Sequence, residues 1–332
     1  MKIGLSYDLK PDLQAHPDGA EDAFEEYDPP STIDALASSI ERLGHQVVSL
    51  GGGVSFLDNV RRETVDFVFN IAEGRGSYRS REAQVPSVLE MLGIPYSGSD
   101  PLTLALCLDK PLAKRIALSA GVATPQYQVV RRMEDMICFK DWGLKLPVVV
   151  KPAFEGSSKG IRLTSLVKRW SDLHQPVETV LADYHQPGMV EEFVAGKEVT
   201  VGVVGNDRPR VVGVMEIAPT SGHGDNFMYT LEVKRDWERL VTYRCPPALP
   251  DVCIEAIEKA ALTLFRVFQC RDVARFDFRV DSSNRPHFIE ANPLPGLSPV
   301  YSDLFLMAGL AGWSYPELIE TILSSALERY GW

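Results

Sequence analysis

Residues that could do chemistry together lie near the carboxyl end of this chain, in segments 274–281 and 287–293. Alternation along the first segment places Arg275, Asp277 and Arg279 on one face of a predicted strand and apolar residues on the other. Only a short polar stretch, Ser-Ser-Asn-Arg-Pro, separates the two segments. They therefore predict a β-hairpin with one charged face.

Pairing across this hairpin predicts its chemistry. With a four-residue loop, Asp277 lies opposite Glu290 and Arg275 lies opposite Asn292 on the same face. Two carboxylates and an amide oxygen are hard ligands, of the kind that bind Mg²⁺ together with substrate phosphates. The alternative is that these are ordinary strand charges facing solvent. Gly296 follows closely and permits close backbone approach to a ligand, so the hairpin favours phosphoryl chemistry.

Length and composition set the class of protein. The chain has 332 residues, 45% of them hydrophobic, which suits two or three packed domains. A formal net charge of -11 argues against a general nucleic-acid or membrane-surface binder. The five cysteines include no CxxC pair, and no apolar run approaches the ~18 residues of a membrane span. We expect a cytoplasmic protein with reduced thiols.

The first hundred residues alternate predicted strands and helices, as an open α/β unit does. Helical spacing covers residues 31–43 and 84–92, and strand-like runs lie at residues 2–7, 46–50 and 66–70. This pattern predicts a small parallel sheet with helices packed against it.

Two other segments of this unit lack such a pattern. The glycine run 51–53 has no GxGxxG spacing and no predicted helix after it, so we interpret it as a turn. The acidic stretch 11–30 has no clear period, which predicts a long surface excursion.

The rest of the chain predicts two further blocks. A helix from about residue 100 passes through Lys110 and Lys114, and polar connecting sequence covers much of 168–188. The third block is predicted to contain strands at residues 198–204 and 210–217, a long helix at 252–268, the hairpin at 274–293 and closing helices up to residue 332.

Two segments could bind a nucleotide. Lys151 ends a predicted strand, and the glycine- and serine-rich loop 155–160 that follows can aim N–H groups at a polyphosphate. The segment 190–198 places Phe193 and Val194 between charged residues, which could offer an apolar shelf to a purine. A flexible surface turn and a solvated connector are the respective alternatives.

In their order and spacing, these elements resemble the ATP-grasp superfamily and, within it, the D-alanine–D-alanine ligase family. The resemblance implies a mixed α/β (α+β) fold with an N-terminal open α/β domain and two ATP-clamping subdomains, predicted at residues 1–100, 101–188 and 189–332. It covers nearly the whole chain. The motifs that carry it are Gly93-Ile-Pro-Tyr-Ser-Gly-Ser, Leu108-Asp-Lys110, Val150-Lys-Pro, Gly156-Ser-Ser-Lys-Gly160, the segment 191–198, Ala274-Arg-Phe-Asp277 and Glu290-Ala-Asn-Pro-Leu-Pro-Gly296.

The resemblance also implies residues that bind ATP. Lys110 and Lys151 would bind its phosphates, and Ser157, counted among the catalytic residues, would cover them with the N–H groups of its loop. Lys234 matches a lysine that a mobile loop of the family carries toward the phosphates, although this match needs an insertion. The residues that would hold adenine and ribose are Glu191, Phe193, Val194 and Glu198.

Metal and catalytic roles follow from the same resemblance. Asp277, Glu290 and Asn292 would bind Mg²⁺, with Mn²⁺ as the alternative ion. Arg275 and the Gly296 N–H would stabilise the oxyanion of a tetrahedral intermediate, a role typically worth about 3 to 4 kcal/mol for each donor. The implied reaction is ATP-dependent ligation of a carboxylate to an amine through an acyl phosphate.

The chain departs from the family where the first amino acid binds. Asn70-Ile-Ala-Glu-Gly replaces the HG motif of the family, and residues 11–30 and 78–84 are expected to border a changed pocket. Arg79 and Arg81 would there bind a second carboxylate or serve only as surface charges. We expect amino acids or small carboxylates as substrates, but not two D-alanines.

The alternative to a ligase is a nucleotide-binding regulatory protein on the same fold. A homodimer is possible, and each of the six histidines, among them His223, is expected to be structural or solvent-exposed.

Overall fold

The structure is a computed structural model that describes residues 1–10, 20–221 and 226–332. Part of the predicted surface excursion, residues 11–19, and the histidine at position 223 lie outside the described residues. Within the described ranges, no helix is both long enough and apolar enough to cross a membrane.

The amino-terminal unit folds around a parallel three-stranded sheet, as its alternating elements predict. Its elements are β1 (Lys2–Ser6), α1 (Pro30–Arg42), β2 (Gln46–Ser49), α2 (Gly53–Arg62), β3 (Phe67–Asn70) and α3 (Gln84–Leu92). The strand order is β2-β1-β3. Every residue of β3 is buried, which explains why its sequence is an apolar run rather than an alternating one.

Helix α2 corrects the prediction of a turn with no helix after the glycine run 51–53. It buries only two side chains, Phe56 and Val60, so its apolar stripe is too short to stand out in the sequence. At Gly52, just before the helix, a Cβ atom would lie 2.2 Å from the carboxylate of Asp8. The glycine run therefore leaves room for Asp8.

A four-stranded antiparallel sheet forms the centre of the chain, in the order β4-β7-β5-β6. Its elements are α4 (Pro101–Leu108), α5 (Lys110–Ser119), β4 (Tyr127–Val130), β5 (Val148–Pro152), β6 (Leu166–Val167), α6 (His174–Asp183) and β7 (Gly188–Glu192). Helix α6 corrects the prediction of a polar connection at residues 168–188. It buries only Val177 and Val180, so its apolar stripe is too short to predict a helix from the sequence. The single helix predicted through Lys110 is instead two helices, since Asp109 ends α4 and caps α5.

The carboxyl-terminal part contains an antiparallel five-stranded sheet in the order β10-β9-β8-β11-β12. Its elements are β8 (Lys197–Val204), β9 (Arg210–Pro219), α7 (Leu231–Arg235), α8 (Trp237–Leu240), β10 (Val241–Arg244), α9 (Asp251–Val267), β11 (Val273–Val280), β12 (Pro286–Asn292), α10 (Asp303–Leu310) and α11 (Tyr315–Arg329). Phe276, Phe278 and Phe288 are fully buried beneath the hairpin, in a core shared with α9. The opposite face of the hairpin is left for polar residues.

The division into domains 1–100, 101–188 and 189–332 stays a prediction. Strand β7 crosses the boundary predicted at residue 188, because all of its residues pair with β5. The central sheet thus continues for four residues beyond that boundary.

Residues 20–28 correct the prediction of a surface excursion, because they pack against the central unit. Asp22 is 1% exposed, and its carboxylate accepts hydrogen bonds from the N–H of Gly160 and the hydroxyl of Tyr184, both at 2.9 Å. Periodicity could not reveal this packing, because the buried groups are carboxylates, which are rarely buried unless they are paired.

Candidate active site

The β11–β12 hairpin has the register that the sequence predicts at the site. Asp277 pairs with Glu290, and Arg275 pairs with Asn292. The loop is one residue longer than predicted, since Val280 pairs with Pro286, and a bulge beside Asp277 restores the register. The bulge thus keeps Asp277 opposite Glu290 and Arg275 opposite Asn292, although the turn is one residue longer than predicted.

Asp277 lies at the centre of a dense polar network on this face. Its carboxylate accepts hydrogen bonds from Nε and Nη2 of Arg275, at 3.0 and 2.9 Å. It also accepts them from the hydroxyl of Thr200 at 2.6 Å and from the amide of Asn292 at 3.0 Å. Burial opposes the charge of Arg275, but Asp277 and Asp303 raise its pKa above the ordinary value. The arginine is therefore a fixed cation.

Glu290, across the hairpin, is paired with the lysine that begins α5. Its carboxylate lies 3.3 Å from Nζ of Lys110, which also donates to the carbonyl of Glu155. Burial alone would raise the pKa of Glu290, but Lys110, Lys151 and Arg275 lower it to about 2. Glu290 is therefore ionised at neutral pH.

The side-chain oxygens of Asp277, Glu290 and Asn292 are of the chemical type that binds Mg²⁺. They differ in how many contacts they would have to give up to bind the ion. Among the described residues Glu290 has one ion-pair partner, Lys110. Four donors fill the carboxylate of Asp277, so one of them must move before Asp277 can bind a cation. Among the residues described, no cluster of three or more His, Cys, Asp or Glu side chains could hold a metal ion. A metal ion held here would therefore need phosphate oxygens or water to complete its coordination shell.

The glycine- and serine-rich loop 155–160 lies across one end of the hairpin site. Ser157 and Ser158 both adopt left-handed backbone conformations, with φ of 48° and 59°. Such conformations are costly for serine and cluster at functional sites. The hydroxyl of Ser158 donates to the carbonyl of Tyr229 at 3.0 Å, which ties the loop to the segment before α7.

Two buried lysines converge on Glu191 in β7. Lys151 contacts its carboxylate at 2.7 Å, and Lys114 forms a second ion pair with it. Burial would raise the pKa of Glu191, but the two lysines hold it below its ordinary value. No role was predicted for Lys114 from the sequence, although its position one helical turn after Lys110 is a usable signal.

A short hinge between β7 and β8 carries the predicted adenine-binding residues. Phe193 lies beneath the guanidinium of Arg279, 4.4 Å from it, and Arg279 donates to the backbone carbonyl of Val194. Glu198 contacts the same guanidinium at 3.1 Å, and burial raises the pKa of this carboxyl to about 7. The hinge also requires Gly196, where a Cβ atom would lie 2.0 Å from the carbonyl of Val280.

All the predicted site residues line two adjoining cavities. The smaller, of about 100 Å³, lies between the hinge and the hairpin. The larger, of about 380 Å³, lies between the hairpin, the amino-terminal unit and the loop after β12. The residues that line both are Ser157, Tyr229, Lys234, Arg275, Glu290 and Asp303.

Two of the predicted residues contribute unpaired donors. Lys234, in α7, forms no ion pair with any described residue, and Gly296 makes no hydrogen bond through its N–H within the described ranges. Both line the larger cavity, so their donors are available to a ligand there.

Comparison with known proteins decides the family. A family model described as D-ala D-ala ligase C-terminus matches residues 116–324. The D-alanine–D-alanine ligase of Pelotomaculum thermopropionicum is 30% identical, over 90% of this chain and 92% of the relative. The chain belongs to the D-alanine–D-alanine ligase family. The chain is also similar to the uncharacterized protein y4sG of Sinorhizobium fredii, 34% identical over 90% of this chain and 88% of the relative.

Solved structures show the same fold. The crystal structure of D-alanine–D-alanine ligase from Bacillus anthracis complexed with ATP matches with a TM-score of 0.75 and 22% identity, covering 100% of this chain and 99% of that one. The predicted ATP-grasp fold is confirmed. As a member of this ligase family, the chain is an ATP-dependent enzyme that forms carbon–nitrogen bonds, and no comparison supports the regulatory alternative.

This ligase-family member carries acidic residues that the sequence analysis did not assign to its site. The side chains of Asp28, Glu73, Glu82 and Asp303 line the larger cavity. Asp303 is 6% exposed, and its Oδ1 atom has no hydrogen-bond partner among the described residues. For Asp28, Glu73 and Glu82, the sequence signal was their place in segments that depart from the family pattern.

Proposed function

We propose that the chain uses ATP to phosphorylate a small carboxylic acid and joins the acyl phosphate to an amine, at the junction of its two cavities. The observation that carries this proposal is that one cavity offers the hinge and Lys151, whereas the other opens onto Arg275 and Gly296. A nucleotide in the first cavity would direct its terminal phosphate toward a carboxylate in the second. Holding two reactants in this way accelerates their reaction without a protein nucleophile.

The lysines and the glycine-rich loop would bind the nucleotide. Lys110, Lys151 and Lys234 offset phosphate charge, and the N–H groups around Ser157 cover the phosphates. A substrate carboxylate oxygen then attacks the terminal phosphorus, and ADP leaves. These groups contact the phosphate oxygens through ion pairs and hydrogen bonds and form no covalent bond to them. They therefore contribute charge compensation and orientation.

The second step would use Arg275 and the N–H of Gly296. The neutral amine attacks the acyl carbon, negative charge develops on the acyl oxygen, and the two donors stabilise that charge. The carbon–oxygen bond to phosphate then breaks, and the phosphate leaves with the proton that the nitrogen loses. The fixed charge of Arg275 supports this role, since Asp277 and Asp303 hold its guanidinium in place.

Asp277, Glu290 and Asn292 would hold Mg²⁺, or Mn²⁺ in its place. When bound, the ion would neutralise phosphate charge next to the transferred group. Of these three residues, Glu290 could bind the ion with the least rearrangement. Its carboxylate is ionised, and among the described residues one lysine, Lys110, forms an ion pair with it.

The substrate pair is proposed to differ from two D-alanines. Arg79 and Arg81 do not support the earlier suggestion of a second substrate carboxylate. Arg81 is 3% exposed and is bound by Glu26 at 2.7 Å, while Arg79 pairs with Asp109 at 3.1 Å. The two segments expected to border this pocket contribute residues to the lining of the larger cavity: Glu25, Glu26, Asp28, Pro29 and Glu82.

A screen of substrates tests the proposed function. Purified protein, ATP and Mg²⁺ are incubated with pairs of D- and L-amino acids and small carboxylates, and phosphate release and product mass are measured. We expect phosphate and an amide in equal amounts with at least one pair, and less of both with two D-alanines. The proposal is wrong if no pair yields an amide, and its substrate claim is wrong if two D-alanines react best.

Compartment and assembly are proposed more broadly. We propose that the protein works in the cytoplasm, which its four described free thiols, Cys107, Cys245, Cys253 and Cys270, support. The homodimer stays a prediction.

A further inference from the structure

One side of the larger cavity is an acidic wall, which we define as Asp28, Glu73 and Glu82. All three line the cavity. Asp28 and Glu82 are 9% and 8% exposed, and Glu73 is partly buried. None of the three forms an ion pair with a described residue, and Glu82 has no hydrogen-bond partner among them. A carboxylate left so deeply buried without a partner is costly, which makes the wall unusual.

The other carboxylates of this cavity have cationic partners in the protein. Glu26 and Glu155 both contact Arg81, at 2.7 and 3.4 Å. Two further ion pairs join Glu25 to Arg235 and Glu290 to Lys110, at 3.0 and 3.3 Å. The charges of Arg81 and Lys110 also act on Glu82, but neither side chain forms an ion pair with it. Among the described residues, no cation of the protein therefore forms an ion pair with the carboxyl groups of the acidic wall.

Hydrogen bonds hold this wall rigid. The side chain of Gln84 accepts from the N–H of Arg75 and donates to its carbonyl, each at 3.0 Å, so it links the loop of Glu73 to the turn of Glu82. The carboxylate of Asp8 accepts a hydrogen bond from the N–H of Gly74, the residue after Glu73, at 3.0 Å. These bonds hold the backbone that carries Glu73 and Glu82 beside the cavity.

We propose that Glu73 and Glu82, with Asp28 beside them, bind protonated nitrogen of the substrate, and that this substrate is a basic amino acid. The inference rests on the proposed ligase function and names the substrate class of that site. A simple α-ammonium group requires one carboxylate, whereas a wall of three can also pair with a cationic side chain. Charge-assisted hydrogen bonds of this kind are the strong ones, and a neutral isostere would leave the carboxylates unpaired.

Binding to lysine and norleucine tests the proposal, since their side chains are of similar length and only lysine carries the second cation. Calorimetry with the full chain, Mg²⁺ and a non-hydrolysable ATP analogue would measure the affinity of both enantiomers of each. We expect one lysine enantiomer to bind at least 10-fold more tightly than the matching norleucine. Glu82→Gln should reduce that ratio to about threefold or less, whereas Glu41→Gln, on the exposed face of α1, should leave it unchanged.

The result that overturns the proposal is equal binding of lysine and norleucine to the wild-type protein, or an unchanged ratio in Glu82→Gln. Circular dichroism checks that the variant folds, and Glu73→Gln, at a less buried position, replaces it if it does not. Turnover is scored separately. Equal binding with amide formation from a neutral pair overturns this inference alone, whereas preferential binding of lysine without amide formation from any pair overturns only the ligase function.

Discussion

At the scale of single residues, Arg275 links the two halves of the proposed reaction. Its side chain lines both cavities, and Asp277 and Asp303 fix its guanidinium from opposite sides. A planar guanidinium can keep these contacts and still present further N–H donors to an oxyanion. An ammonium group is a single point of charge and cannot make the same set of contacts.

Arg275→Lys should therefore lose most of the activity while the protein stays folded. We expect kcat to fall by about 10²- to 10³-fold, corresponding to about 3 to 4 kcal/mol, with a smaller change in nucleotide affinity. Steady-state kinetics and calorimetric ATP binding separate the two effects. Arg266→Lys, at an exposed position of α9, is the matched control. A kcat for Arg275→Lys within threefold of wild type would show that the guanidinium has no oxyanion role.

At the scale of elements, Arg279 organises the hinge between β7 and β8. Besides stacking on Phe193, its guanidinium donates to the carbonyls of Gly196 and Phe227, both at 2.8 Å. It thereby joins the hinge to the segment that leads into α7. The sequence predicted that Arg279 lies on the polar face of the hairpin but not that it binds backbone carbonyl groups of two other segments.

Replacing this arginine with methionine should loosen the hinge. Arg279→Met leaves three partly buried carbonyl groups without this donor and removes the cation paired with Glu198, so we expect at least a 10-fold loss of ATP affinity and a loss of about 2 to 4 kcal/mol in the free energy of unfolding. Calorimetry and urea unfolding measure the two quantities, with Arg266→Met as the control. Unchanged ATP affinity would mean that the hinge does not need Arg279 to bind the nucleotide.

The same scale shows what could be predicted from sequence. The pairing of Asp277 with Glu290 was predictable, because alternation and a short turn are local signals. The packing of residues 20–28 was not, because Glu26 finds Arg81 and Lys159 far away in the chain. Charged residues give no periodic signal when their burial depends on distant partners. For the same reason, the acidic wall emerged only from the folded structure.

At the scale of the whole molecule, the acidic wall should affect stability as well as binding. Burial raises the pKa of Glu82 to about 7, with Glu26 and Glu155 adding to the effect and Arg81 and Lys110 opposing it. The folded protein therefore holds a proton that the unfolded chain, with an ordinary pKa of 4.5, releases. The free energy of unfolding should accordingly fall as the pH rises from about 4.5 to 7.

Glu82→Gln should remove this part of the pH dependence. We expect the variant to exceed the wild type by about 1 to 3 kcal/mol in free energy of unfolding at pH 8, with little difference at pH 4.5. Urea unfolding of the ligand-free protein across this range measures it, beside Glu41→Gln as the control. Parallel curves for Glu82→Gln and wild type would show that Glu82 does not carry the buried proton.

The central claim, ligation through an acyl phosphate, is tested most directly by following the carboxylate oxygen. The amino acid found to be the acyl donor is labelled with ¹⁸O in its carboxylate and incubated with ATP, Mg²⁺ and the amine, and the released phosphate is analysed by mass spectrometry. Phosphoryl transfer to the carboxylate predicts one ¹⁸O atom in each phosphate, with ADP and amide in equal amounts. Amide formation that leaves the phosphate unlabelled would contradict the account.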